Sequence, residues 1–365
     1  MEILRQIKLA VAAGRPVCLW GTPGVGKTAI VAQLAAELGA HLEVVIGSIH
    51  EPSDFSGLPI PDGQGGVALA PPAWARRIVT ACAAGRRAVL FLDEISTAPP
   101  AVQAALLRVV HERVVGDLAL PPATIIIAAA NPPECAAGGW DMALPLAGRF
   151  VQISFPCPSA DEWAAWMLGR EDIHPKARAL ATGFVRARPA LLAEEMGKVS
   201  ARQPLAYASP RSHEAAARIV GAALAAGHDI GDLLPLIAGA LGEPVAIEYC
   251  AWLRSADLPD PEAVLANPAS WTPDMRKPDV IFATLAAVAA ASTTPRPNRA
   301  EYQRRWEAAV AVFERGLAAG KEVVLIPARA WAAPAARPAA MKTLAPAVVA
   351  FASKISEVTK AAGIV

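Results

Sequence analysis

GTPGVGKT, residues Gly21–Thr28, is the stretch on which the fold reading turns. It fits the pattern of Gly, four residues, Gly-Lys, then Ser or Thr. Glycines let the backbone curl so that successive N–H groups point inward, and a following helix adds the positive end of its dipole. Such a loop cradles phosphates. The pattern alone also arises by chance in Gly-rich loops, so its surroundings decide. Val17–Trp20 before it reads as a short buried strand, and Lys27–Leu38 after it reads as a helix that Gly39 stops. In that setting Gly21, Thr22, Pro23, Gly24, Val25, Gly26, Lys27 and Thr28 line a phosphate site. Lys27 can reach the β- and γ-phosphates, and the Thr28 hydroxyl can ligate Mg²⁺.

The next informative stretch is VLFLDEIS, Val89–Ser96. Four apolar residues of strand type end in two adjacent carboxylates, and a buried charge without a partner is costly. Standing alone, Asp93-Glu94 can simply begin a solvated loop. After a phosphate loop, the pair has a use: Asp93 holds Mg²⁺, usually through water, and Glu94 orients and deprotonates an attacking water. AAANPP puts Asn131 at the end of another apolar strand, where its amide can position that water or merely form a turn before Pro132. LPLAGRF and SPRS place Arg149 before a last strand and Arg211 at the start of a helix. Read singly, each is an ordinary surface arginine.

Further strands are expected at Leu42–Ile46, Thr124–Ala129 and Val151–Phe155. Strands alternating with helices point to a parallel sheet covered on both faces. Glu51–Trp74 breaks the rhythm: it is rich in Gly and Pro, and two extended pieces flank Asp62-Gly63, as in a hairpin or loop. Beyond about Ser159 the strand signal ends. Asp161–Arg170, Arg211–Gly227, Val245–Arg254, Val280–Ala291, Arg299–Ala319 and Met341 to near the end read as helices. Leu258–Pro278 is Pro-rich, and PARAWAAPAARPAA from Pro327 reads as a loop. Trp163 and Trp166 share a helix face, which suits packing in a helical bundle.

Composition removes several classes of function. The 365 residues carry 34 basic and 33 acidic side chains, net +1, which gives no general pull toward nucleic acid or an anionic membrane. Five scattered cysteines without a CxxC pair argue against a disulfide framework or zinc knuckle and suit a reducing cytosol. His111-Glu112 is followed by Val115, so HExxH is absent. Charges interrupt the opening MEILRQIKLAVAAGRPV, which does not read as a signal peptide, and no apolar run suits a spanning helix. A soluble cytoplasmic protein is expected.

Taken in order, GTPGVGKT, EPSDFSGLPIPDG, VLFLDEISTAPPAVQAALLRVVHERVV, AAANPP, LPLAGRF and YASPRS resemble an AAA+ ATPase, specifically of the MoxR family. The most specific piece is the acid pair followed by a helix with a Gln-x-x-Leu-Leu core, matched by Gln103, Leu106 and Leu107. The resemblance implies an α/β fold: a five-stranded parallel-sheet P-loop core (αβα) over 1–157, an all-α lid over 158–255, and a helical C-terminal extension over 256–365. Hairpin inserts would fall near 51–74 and 113–122. It implies ATP and Mg²⁺ as cofactors, bound between neighbours of a hexameric ring. Lys27, Thr28 and Asp93 would bind phosphate and metal, Glu94 would be the base, and Asn131 sensor 1. Arg149 would be a finger offered to the neighbour's γ-phosphate and Arg211 sensor 2, acting in its own subunit or across the interface. A partner with a von Willebrand factor A domain and a protein client are implied in the same way. Gly148 stands where the family often has an acid, and the region after Leu241 is longer and richer in Pro than the minimal lid. The rival readings are a DNA-directed AAA+ motor, an ATP-locked scaffold, and an activator that frees a metabolic enzyme from an inhibitor.

Overall fold

The computed structural model describes residues 2–135, 140–195, 206–294, 298–333 and 346–361. The chain divides into two compact units, Met1–Cys157 and Pro158–Val365.

In the first unit, α1 (Glu2–Ala12) leads to β1 (Val17–Trp20), α2 (Lys27–Glu37) and β2 (His41–Ile46). A one-turn helix α3 (Ser53–Ser56), the strands β3 (Leu58–Pro61) and β4 (Val67–Ala70), and α4 (Ala73–Ala83) follow. Then come β5 (Ala88–Asp93), α5 (Pro100–His111), β6 (Val114–Val115), β7 (Leu118–Ala119) and β8 (Thr124–Ala130). The short helix α6 (Leu144–Ala147) and β9 (Val151–Ser154) complete it. Five strands pair in parallel in the order β2-β5-β8-β1-β9. This is the expected sheet, and the apolar runs are explained by burial on both faces. Val89 and Phe91 of β5 join Ile7, Val31 and Leu34 from α1 and α2 on one face. Leu90 and Leu92 join Trp74, Ile78, Val102 and Leu106 from α4 and α5 on the other. Side chains alternate along a strand, so a fully apolar strand needs two apolar neighbours.

Two antiparallel hairpins stand beside the sheet, β3-β4 and β6-β7. Asp62 turns the first, accepting from the N–H groups of Gln64 and Gly66 at 2.8 Å each. The hairpins are tied together. The Asp117 carboxylate accepts from the Leu69 N–H at 2.7 Å, and the Asp117 N–H donates to the Leu69 carbonyl at 3.0 Å. Gly57 and Gly116 meet there: a Cβ on Gly57 would lie 2.6 Å from the Gly116 Cα, so no larger residue allows this approach.

The described secondary structure of the second unit is helical. Its helices are Ala160–Leu168, Pro175–Ala187, Pro210–Ala225, Leu234–Leu241, Glu243–Ser255, Pro261–Ala266, Pro278–Thr293, Arg299–Gly316, Lys321–Ala332 and Pro346–Ala361, with a few single 3₁₀ turns between. Trp163 is buried and its indole N–H donates to the Pro210 carbonyl at 3.1 Å, while Trp166 is half-buried under the Arg170 guanidinium. The loop expected from Pro327 is corrected in part, because Pro327 sits inside the helix Lys321–Ala332. Proline removes one backbone hydrogen bond there, but Val323, Val324, Leu325, Ile326, Ala328 and Trp331 are all buried. Burial outweighs the lost bond. The remainder of that expected loop, and residues 341–345 of the last expected helix, lie outside the described residues. Among the described residues no helix is long and apolar enough to cross a membrane.

His213 is buried between Trp163 and Phe184, its Nε2 bonded to the Leu191 carbonyl at 2.8 Å and its Nδ1 without a partner. Burial pushes its pKa down to about 4. An unfolded chain protonates the same ring near pH 6.5. Stability is therefore complete above about pH 6.5 and is lost as pH falls toward 4. Denaturant titration of the protein between pH 7 and 4 should show a loss of about 3 kcal/mol that a His213→Gln variant does not show.

Candidate nucleotide site

The loop after β1 turns through Gly24 and Gly26, with φ of 82° and 107°, values that favour glycine. Gly26 precedes α2, whose first N–H groups lack intrahelical acceptors and have no side-chain cap from Gly26. Lys27 opens α2 and is buried. Its ammonium donates to the Gly21 carbonyl at 2.7 Å, the Thr22 carbonyl at 3.1 Å and Asn131 Oδ1 at 2.9 Å. The Thr28 hydroxyl donates to Asp93 Oδ2 at 3.1 Å. Three segments far apart in sequence therefore meet at the C-terminal edge of the sheet. Strand order explains it: β8 lies between β1 and β5, so Asn131 falls between the loop and the acids.

The two acids face different ways. Asp93 ends β5 and turns toward Thr28. Glu94 takes a left-handed backbone, φ 54° and ψ 37°, which is strained for a residue other than glycine. Its carbonyl accepts from the Thr97 N–H at 3.1 Å and the Thr97 hydroxyl at 2.9 Å, which holds the turn. Its carboxylate is exposed and accepts from the Ser48 hydroxyl at 2.8 Å. Ser96, buried behind the acids, accepts from the Asn131 N–H at 3.0 Å and donates to the Asn131 carbonyl at 3.2 Å.

Arg149 lies elsewhere on the unit. It precedes β9, whose first residue Val151 pairs with Val17 at the start of β1. The phosphate loop follows the other end of β1, roughly 10 Å of strand away. Arg149 is half-buried, and its Nε is buried without a partner. Gln103 braces the segment leading to it, accepting from the Ala143 N–H at 2.8 Å and donating to the Ala98 and Asp141 carbonyls at 3.0 and 3.3 Å. Arg211 belongs to the second unit, exposed in the first turn of Pro210–Ala225, which Ser209 caps.

Sequence reading passed over Ser48 and Ser96, because an isolated serine carries no pattern. Removing Ser96 leaves the Asn131 N–H without its acceptor, which costs about 1–3 kcal/mol for a buried group. Ser96→Ala should therefore lower the unfolding free energy by about 1–3 kcal/mol in a denaturant titration, with the far-UV circular dichroism spectrum unchanged.

Residues 16–150 match the family model for the AAA domain of the dynein-related subfamily. A 62-residue stretch is 37% identical to the RuvB subunit of the Holliday junction branch migration complex of Mycoplasma pneumoniae. It covers 15% of this chain and 20% of that protein. A mutant RuvB of Thermotoga maritima superposes with a TM-score of 0.36 at 14% identity, over 74% of this chain and 76% of that one. A second mutant of the same protein gives 0.34 at 14%, over 76% and 79%. With the P-loop ahead of α2, the acids at the end of β5 and the β2-β5-β8-β1-β9 order, the family match makes residues 16–150 an AAA+ ATPase domain.

Proposed function

We propose that this chain is a Mg²⁺-dependent ATPase of the MoxR type that works as a hexameric ring and remodels or activates a protein client. The observation that carries the ATPase part is that two consecutive residues of the loop reach two different strand ends: Lys27 bonds to Asn131 at 2.9 Å and Thr28 to Asp93 at 3.1 Å. Thr28 and Asp93 offer two adjacent oxygens, which fits a hard cation that keeps several waters and takes the rest of its shell from phosphate. When bound, Mg²⁺ neutralises charge on the β- and γ-phosphates. Lys27 and the loop N–H groups hold the triphosphate. Asn131 orients a water in line with the γ-phosphorus, and Glu94 takes its proton. A new P–O bond forms as the bond to the bridging oxygen breaks, and ADP leaves with that electron pair.

The place of Arg149 supports a site shared between copies. A guanidinium near the start of β9 is badly placed for its own phosphate loop at the far end of β1, and it is available to a neighbour's. The ring count, a von Willebrand factor A partner, the action on a client and the role of Arg211 follow the MoxR resemblance. A cytoplasmic setting is proposed with them. A DNA-directed motor is the second reading, favoured by the identity to a stretch of RuvB. The near-zero net charge weighs against it. A salt-series gel shift with single- and double-stranded DNA separates the two, and tight salt-sensitive binding would favour the motor.

Lys27→Ala should abolish tight nucleotide binding, and Glu94→Gln should bind ATP and stall. Arg149→Ala should bind ATP while losing about 10³-fold or more in hydrolysis. Mixing Lys27→Ala with Arg149→Ala should restore turnover, since each supplies what the other lacks. Steady-state ATPase assays on the separate and mixed proteins test this, and no recovery on mixing would count against a shared site.

A further inference from the structure

We infer that Gln152 is a positioning residue for Arg149, tying the turn that carries it to the root of the same copy's phosphate loop. The inference rests on the proposed role of Arg149 toward a neighbour's phosphate. Its ground is a side chain bonded at both ends. Gln152 lies on the edge strand β9 and pairs in register with Cys18, as Ser154 pairs with Trp20. Side chains alternate along a strand, so Gln152, Cys18 and Trp20 share one face of the sheet. Leu146 and Phe150, on either side of Arg149, pack on that face with Cys18 and Trp20. There the Trp20 indole N–H donates to Gln152 Oε1, and Gln152 Nε2 donates to the Ala147 carbonyl at 2.6 Å. Each bond holds one end of the amide, so the side chain is fixed from both sides.

The two ends hold different things. The Ala147 carbonyl closes the turn that carries Arg149: it accepts from the Phe150 N–H at 3.2 Å, and within the turn the Arg149 N–H donates to the Leu146 carbonyl at 3.1 Å. Gly148 gives this turn no side chain. The Arg149 Nε is buried without a partner, so the aim of the guanidinium follows the turn beneath it. Phe150 is buried and fixes one end of the turn, and Gln152 holds the other. At the far end of the amide, Trp20 is the last residue before the phosphate loop. Its carbonyl accepts from the Phe155 N–H at 2.6 Å, and the Gly21 N–H donates to the Ala130 carbonyl at 3.2 Å. A Cβ on Gly21 would lie 2.2 Å from the Phe155 carbonyl oxygen, so no larger residue fits there. The Gly21 carbonyl in turn accepts from the Lys27 ammonium at 2.7 Å. Gln152 therefore sets the turn of Arg149 against a fixed point one residue from the carbonyl that anchors Lys27. Reacting groups tolerate little misplacement, and a shift of about 1 Å is enough to cost most of a rate.

The test separates the copy that offers Arg149 from the copy that holds ATP, in steady-state ATPase assays of the full-length protein. Gln152→Ala alone should lower kcat about three- to tenfold, the range given by one hydrogen bond exchanged with water, with KM for ATP unchanged. Lys27→Ala copies offer only their Arg149, and their mixture with Arg149→Ala copies sets the reference rate. Adding Gln152→Ala to the Lys27→Ala copies should lower that rate about three- to tenfold. Adding it to the Arg149→Ala copies instead should leave the mixture at the reference rate. Trp20→Phe in the Lys27→Ala copies removes the anchor and should also lower the rate. Gln152→Glu keeps the acceptor for Trp20 but loses the donor to Ala147; it should match Gln152→Ala, and it replaces that variant if Gln152→Ala does not fold. A general structural role would lower the rate from both sides of the mixture. An equal loss from both sides, or the full reference rate with Gln152→Ala or Trp20→Phe in the Lys27→Ala copies, overturns the inference. If Lys27→Ala and Arg149→Ala show no recovery on mixing, the shared-site reading has failed and this inference falls with it, whereas recovery that is indifferent to Gln152 sinks this inference alone.

Discussion

The Lys27 ammonium is buried at the C-terminal edge of a parallel sheet, and a charge so placed is stable only when acceptors surround it. Two of its acceptors are carbonyls of its own loop, and another is Asn131 at the end of β8. That requirement links loop curvature to strand order. Asn131 can reach Lys27 only if β8 lies beside β1, and Thr28 can reach Asp93 only if β5 lies beyond β8. The strands must therefore run parallel, with helices returning the chain over both faces, and the apolar strands follow from that burial. Site and core are one arrangement.

Around this point the side chains divide into groups that bind charge and groups that hold others in place. Asp93 and Thr28 form an oxygen pair on the loop side. Glu94 is set apart by its left-handed backbone, held by Thr97 and faced by Ser48. Local strain of this kind persists only where neighbours over-determine it. Gln103 is buried yet polar, and its amide is bonded to backbone on both sides, so the helix that backs the acids also fixes the approach to Arg149. A polar group buried so completely is satisfied at both ends, as its desolvation demands.

Much of the first unit was legible from residue pattern. Strand positions came within two residues of those found, because apolar runs bounded by Gly, Pro and charged residues leave few other choices. The helix Lys321–Ala332 was less legible: a proline and many alanines read as loop, and only burial of its neighbours overrides that preference. Pro175–Ala187 gave no clear signal either, since most of its middle is buried all round and periodicity vanishes when every face is covered. In the site, the motif residues announced themselves by spacing. Ser48 and Ser96 did not, since each matters only for what stands opposite it.

The linear chain alone determined that there is a phosphate loop, an acid pair after an apolar strand, a polar residue after another, and helices thereafter. These are local matters, set by glycine's freedom, by alternation and by the cost of burying charge. Only the tertiary structure decided which side of β5 each acid faces and which end of the sheet carries Arg149. It also brought the two hairpins together through Asp117, Gly57 and Gly116. Those facts depend on strand order and register, which long-range packing selects and no short stretch of sequence contains.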